Sequence, residues 1–133
     1  MVKIQRFDES PVTNLSQERG NLIRLVNEEM GAKNLNISYF TLKPKAPWGA
    51  YHYHEKAESV SIILSGRAKL VVDGIEYEVG PNTVIFIPPG ERHEIAPIGD
   101  EELKKIDIYS PPRGSDVKEI PWDGGLPPTT SMK

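Results

Sequence analysis

His52 and His54 are separated by a single residue. If the segment from Ala50 to His54 is extended, positions i and i+2 share a face, and the two imidazoles converge. Glu58 follows four residues after His54, where the chain enters the next strand. Imidazole and carboxylate together suit zinc, iron, manganese, nickel or copper. Taken alone, the pair has an equally good ordinary reading as exposed or packed side chains. The third histidine, His93, comes just after Pro88-Pro89-Gly90, a rigid turn that opens a new strand. Its ordinary role is a hydrogen bond to a loop carbonyl. The chain has three histidines in all, so a fold that sets His93 beside the pair gathers every imidazole it owns. There is no cysteine, so a metal must take nitrogen and oxygen ligands, and no disulfide can form.

The elements that must position these residues read as short strands. Leu22, Ile23, Leu25, Val26 and Met30 fit a helical face over residues 22 to 30, but Leu22 to Val26 also fits a strand, and strand is the expectation. Residues 35 to 42 form a strand buried largely on both faces, ended by Lys43-Pro44-Lys45-Ala46-Pro47, because proline cannot donate to a ladder. Val60, Ile62 and Leu64 alternate with Ser59, Ser61 and Ser65, a half-buried strand that stops at Gly66. Asp73-Gly74 between Lys69–Val72 and Ile75–Val79 signals a hairpin with positive φ at both central positions. Thr83 to Ile87, His93 to Ala96 and Leu103 to Tyr109 follow, the last two separated by a turn over Pro97-Ile98-Gly99-Asp100. Strands at this spacing with turn signals between them argue for an all-β barrel or sandwich.

The 133 residues suit one domain with its own core, residues 1–133. A formal net charge of −3 and the lack of a basic run argue against nucleic acid as a partner. Apolar stretches are strand-length, so no membrane span is expected, and Met1 to Arg6 lacks the apolar run of a signal peptide. The expected location is the cytoplasm.

The segment from Gly49 through His52, His54 and Glu58 to Gly66 resembles the first cupin motif, and Asn82 to His93, with Pro88-Pro89-Gly90, resembles the second. The resemblance covers about residues 35 to 110. It implies a cupin-type jelly-roll barrel, a double-stranded β-helix, with His52, His54, Glu58 and His93 around one divalent transition metal ion such as zinc, manganese, iron or nickel. Three departures stand out. The family's glutamate usually lies seven residues before the closing glycine, which is Ser59 here, one residue after Glu58. In a regular strand Glu58 then shares the face of Val60, Ile62 and Leu64, unless a bulge re-aims it. The site therefore has either four ligands or three histidines with open positions. Asn82 replaces a glycine, and asparagine tolerates the left-handed backbone such a turn needs. Pro97 replaces an asparagine that is usually structural.

Trp48, Tyr51, Tyr53, Phe40, Tyr39 and Tyr109 lie near the motifs, mostly as barrel packing, with an aromatic-lined pocket as the alternative. Arg67, Lys69 and Arg92 are the cations nearest the motifs, and Glu91 and Glu94 alternate away from His93 towards the surface. The implied function is metal-dependent chemistry on a small molecule, of dioxygenase or of sugar isomerase or epimerase type. The alternative is a non-catalytic ligand-binding module. A homodimer is expected, with residues 1–18 and the proline-rich tail covering exposed strand edges.

Overall fold

The β-branched and alternating runs fold as strands. The structure, a computed structural model, describes residues 1–112 and 117–119. Its strands are β1 (Val12–Asn14), β2 (Gly20–Val26), β3 (Asn36–Leu42), β4 (His52–His54), β5 (Glu58–Ser65), β6 (Arg67–Val72), β7 (Ile75–Val79), β8 (Thr83–Ile87), β9 (His93–Ile98), β10 (Leu103–Ser110) and β11 (Val117–Glu119). They form a six-stranded sheet in the order β1-β2-β3-β10-β5-β8 and a five-stranded sheet in the order β11-β4-β9-β6-β7. All pairings are antiparallel. No helix among the described residues is long and apolar enough to cross a membrane. The expected strand at Leu22 to Val26 is β2.

The hairpin between β6 and β7 turns at Asp73 (φ 46°) and Gly74 (φ 83°), as its residue pair requires. Asn82 takes φ 62°, so asparagine does supply the left-handed turn before β8. Gly66 (φ 83°) bends the chain between β5 and β6, where a Cβ would collide with the carbonyl oxygen of Glu102. The expected turn at Pro97 is displaced: β9 runs on to Ile98, and Pro97 pairs with Ala68 of β6. The missing N–H is tolerated because β9 meets β4 only at its first residue, leaving its other edge without a ladder at Pro97. Of the proline-rich tail expected to cover a strand edge, Val117–Glu119 form β11, which pairs with β4. Trp122, which the sequence offers as a docking residue of that tail, lies outside the described residues.

The barrel interior holds a buried cluster of Leu42, Ile63, Ala68 and Leu103, with Leu15, Val79, Ile85 and Ile95 against it. Elsewhere the facing of β5 and β10 inverts the usual pattern. Ser59 and Ser61 point inward with Ile63, while Leu64 is 43% exposed on the outer face. Lys105 and Asp107 are buried, and Ile106 and Ile108, which alternate with them, face outward, half-buried. The register sets Ile23, Tyr39, Ile106, Ile62 and Val84 in one row across five strands of the larger sheet. Val26, Ile37, Ile108, Val60 and Phe86 form the next row. The polar residues therefore surround the interior, and an apolar face is turned outward.

Candidate metal and ligand site

β4 carries His52 and His54, and β9 opens with His93, the Cα partner of His52 across the ladder. The imidazole nitrogens of His52, His54 and His93 include one from each ring that lie within 4.8 Å of one another. Ring centroids are 4.4 Å apart for His52 and His93, and 5.1 Å for His52 and His54. His54 is the deepest, at 2% exposure, with the Tyr109 ring 5.1 Å from its own.

Two of the rings are oriented in the same way. His52 Nδ1 lies 2.6 Å from the Ala50 carbonyl oxygen, and His93 Nδ1 lies 2.9 Å from that of Glu91. A carbonyl only accepts, so Nδ1 must carry the proton and donate. That fixes the tautomer in which Nε2 holds the lone pair, the arrangement seen in metal-ligating histidines. The donor set fits a divalent transition metal of borderline softness.

Glu58 is not brought to this cluster. It is exposed at the start of β5, on the face of Val60 and Ile62, and the register with β10 runs unbroken from Glu58 to Ile63, the irregularity in β5 falling only at Leu64. Ser59, at 5% exposure, takes the inward position instead, and its Oγ has no hydrogen-bond partner among the described residues. The structure thus assembles three histidines, and the carboxylate expected with them faces outward because strand alternation holds.

His52 and His93 open onto a cavity of about 780 Å³, with His54 packed behind them, a volume within the range of small-molecule sites. Its apolar wall includes Leu22, Phe40, Trp48, Ile85 and Ile87. Of the aromatic residues singled out from sequence, Phe40, Trp48 and Tyr109 line it. The polar wall comes largely from residues that sequence reasoning passed over. Lys105 Nζ pairs with Asp107 Oδ2 at 2.5 Å, both side chains being 7% exposed, and sits 4.4 Å from the centroid of the Phe40 ring. Asp107 also accepts from Ser61 Oγ (2.7 Å) and the Tyr109 hydroxyl (3.1 Å). Burial works to raise the Asp107 carboxyl, but the Lys105 charge and these hydrogen bonds outweigh it and hold it below the ordinary carboxylate range.

Glu94, expected at the surface, is buried and lines the cavity with its neighbour His93. Its Oε1 accepts from the Ile95 N–H at 3.0 Å. Burial pushes its carboxyl up to about 7, against the Ile95 hydrogen bond and the nearby charges of Lys105 and Arg19. Alternation misleads here because His93 is the terminal residue of β9, and its ring is turned by its own bond to the Glu91 carbonyl. Arg67, Lys69 and Arg92 do not line the cavity; Arg19 and Lys105 do.

A Cupin domain model matches residues 38–109, more than half of the chain and both histidine segments. An uncharacterised protein of Methanocaldococcus jannaschii is 35% identical over 69 residues, 52% of this chain and 55% of that protein. The mannose-1-phosphate guanylyltransferase RfbM of Salmonella typhimurium is 36% identical over 78 residues, 59% of this chain and 16% of RfbM. The chain thus spans about half the length of the first relative and a small fraction of the second. Among solved structures, the polyketide cyclase RemF from Streptomyces resistomycificus superposes with a TM-score of 0.77 at 23% identity, covering 92% of this chain and 88% of that one. The nucleoside dehydratase Pac13 of Streptomyces gives 0.72 at 11% identity, covering 91% and 93%. At these identities the likeness is one of fold. The jelly-roll barrel, the order of the two histidine segments and the matched domain together make this chain a member of the cupin family.

Proposed function

We propose that this cupin is a metal-dependent enzyme that moves protons on a small oxygen-bearing organic molecule held inside the barrel. The observation that carries the reading is the meeting of three convergent imidazoles with a cavity whose walls also bury Lys105, Asp107 and Glu94. His52, His54 and His93 would hold one divalent ion, with the Ala50 and Glu91 carbonyls fixing two of the rings. When bound, that ion supplies Lewis acidity to a substrate oxygen. Glu94 and Asp107 bring two carboxyl groups into the same cavity, where either can accept or return a substrate proton. Lys105 and the Tyr109 hydroxyl hold Asp107 in one place, and Phe40, Trp48 and Leu22 exclude water from the apolar part of the substrate.

Ionisable walls favour isomerisation, epimerisation, cyclisation or elimination over dioxygen chemistry, which requires no such groups from the protein. The fold neighbours named as a cyclase and a dehydratase support this choice.

The test begins with protein purified without an affinity tag. Wild type should carry or take up about one divalent metal per chain, and His52→Ala should lose it. Loaded wild type incubated in D₂O with small hydroxy-ketones should exchange the proton next to the carbonyl, followed by proton NMR. The reading fails if wild type takes up no metal. Metal uptake with no exchange across such a panel would instead leave a ligand-binding module.

A further inference from the structure

The cavity wall contains a cation that the proposed chemistry does not use. Arg19 follows the short 3₁₀ turn Ser16–Glu18, in the segment joining β1 to β2. That segment folds over the cavity, with Leu15, Ser16, Gln17 and Arg19 all on its wall. Gln17 (φ 58°) and Glu18 (φ 53°) both take left-handed backbone, a conformation that costs energy in a non-glycine residue. The backbone is pinned on both sides: Lys43 N–H donates to the Arg19 carbonyl at 2.8 Å, and Leu15 N–H to that of Gly20 at 2.9 Å.

Arg19 is half-buried as a residue. Its Nε donates to the Ser16 carbonyl at 3.3 Å, and it makes no ion pair among the described residues. Its Nη1 and Glu94 Oε2 both stand against Gly49, within 2.5 Å of where a Cβ on that residue would lie. Gly49 has no positive φ that would call for glycine, yet a Cβ there would collide with both groups. The missing side chain keeps open the space in which they stand. Lys105, the other cation of the wall, is already committed to Asp107.

We propose that Arg19 is the substrate-recognition residue of this cavity and that the ligand is a small organic acid. Its carboxylate meets the Arg19 fork, and its apolar body lies along Leu22, Phe40 and Trp48. A guanidinium presents paired donors that match a carboxylate in plane, and a half-buried setting strengthens that contact relative to water. Of the two cations on the wall, Arg19 and Lys105, only Lys105 is held by a carboxylate in an ion pair among the described residues. The inference deepens the proposed function by naming a substrate class, but recognition by Arg19 does not require the metal.

The test therefore uses the full chain stripped of metal with a chelator. Benzoate and its uncharged counterpart benzamide are titrated into it by calorimetry. Wild type should bind benzoate about tenfold or more tightly than benzamide, a difference of about 1.4 kcal/mol. Arg19→Gln should bring benzoate down to the benzamide level and leave benzamide unchanged, with Arg19→Lys in between. Equal affinity for the two probes overturns the proposal, as does wild type that binds no benzoate up to about 10 mM. Loss of benzoate in Lys105→Met but not in Arg19→Gln also overturns it, by moving the recognition to Lys105. If Arg19→Gln does not fold, Arg19→Lys decides, and an unchanged benzoate affinity there defeats the assignment. A failure of metal uptake leaves these binding results standing, so the two readings fall separately.

Discussion

His52 and His93 face each other across the β4–β9 ladder, and each donates its Nδ1 proton to the carbonyl two residues earlier in the chain, Ala50 at 2.6 Å and Glu91 at 2.9 Å. Two strands that share a single residue pair thus present their imidazoles in the same tautomer. Such preorientation typically changes metal affinity by about 10–100-fold. Removal of one ring should cost more than that. Chelator competition is expected to show at least about a hundredfold weaker metal binding in His52→Ala and His93→Ala. Glu58→Ala should match wild type, because Glu58 stands on the outer face. A large loss in Glu58→Ala would restore the four-ligand site.

The buried Lys105–Asp107 pair sets a stability prediction. Removing one member leaves the other charged and unpaired in the barrel, which costs about 3–5 kcal/mol. Urea denaturation of Lys105→Met and of Asp107→Asn should show losses of this order, and Lys105→Met with Asp107→Leu should regain much of it. The Asp107 carboxyl lies below its ordinary range in the fold. Its contribution is therefore present above the unfolded value of about 4 and is lost as pH falls through the folded value. Asp107→Asn should remove that part of the acid transition.

Glu94 acts in the opposite sense. Its folded value, about 7, lies above the unfolded one, so the folded chain binds the extra proton between them. Stability on its account should fall as pH rises from about 4.5, and the loss should be complete once pH exceeds the folded value. Glu94→Gln should flatten that slope. Relative to wild type it should gain on the order of 3 kcal/mol between pH 5 and pH 8, read by urea denaturation of metal-free protein.

Gly49→Ala separates space from backbone freedom. Because φ there is ordinary, alanine costs the backbone nothing and slightly restrains the unfolded chain. The collisions are with the ends of the Arg19 and Glu94 side chains, which can swing aside. Thermal stability should stay within a few degrees of wild type, while benzoate binding falls towards the Arg19→Gln level. Binding that survives would detach Arg19's position from Gly49.

The two outward apolar rows of the larger sheet give the expected homodimer a surface. Val84 is 65% exposed and Phe86 55%, on the edge strand β8. Contiguous apolar surface of this kind on a small protein marks an association face. Sedimentation should give a dimer for wild type and a shift to monomer for Phe86→Glu. A monomeric wild type at micromolar concentration ends the idea.

Period-two patterning told which side chains share a face but not which face is inside. The histidine pair, the Asp73-Gly74 hairpin and the left-handed turn at Asn82 were legible because each depends on local backbone geometry. Lys105 and Asp107 alternate with Ile106 and Ile108, and hydrophobicity alone would turn the isoleucines inward. The barrel does the reverse, because its interior is a polar cavity at that level and its outer sheet is apolar. Arg19 carried no local signal. Its place depends on a long-range fold-back of the segment before β2, which no spacing rule reports.

That fold-back also divides the cavity's parts by their place in the chain. The three histidines lie within residues 38–109, the stretch matched by the family model, whereas Arg19 and its strained turn lie before it. Reactivity and selectivity thus have separate addresses along the polypeptide. Grafting a different β1–β2 connection onto the same barrel would exchange what enters while leaving the imidazole cluster as it stands.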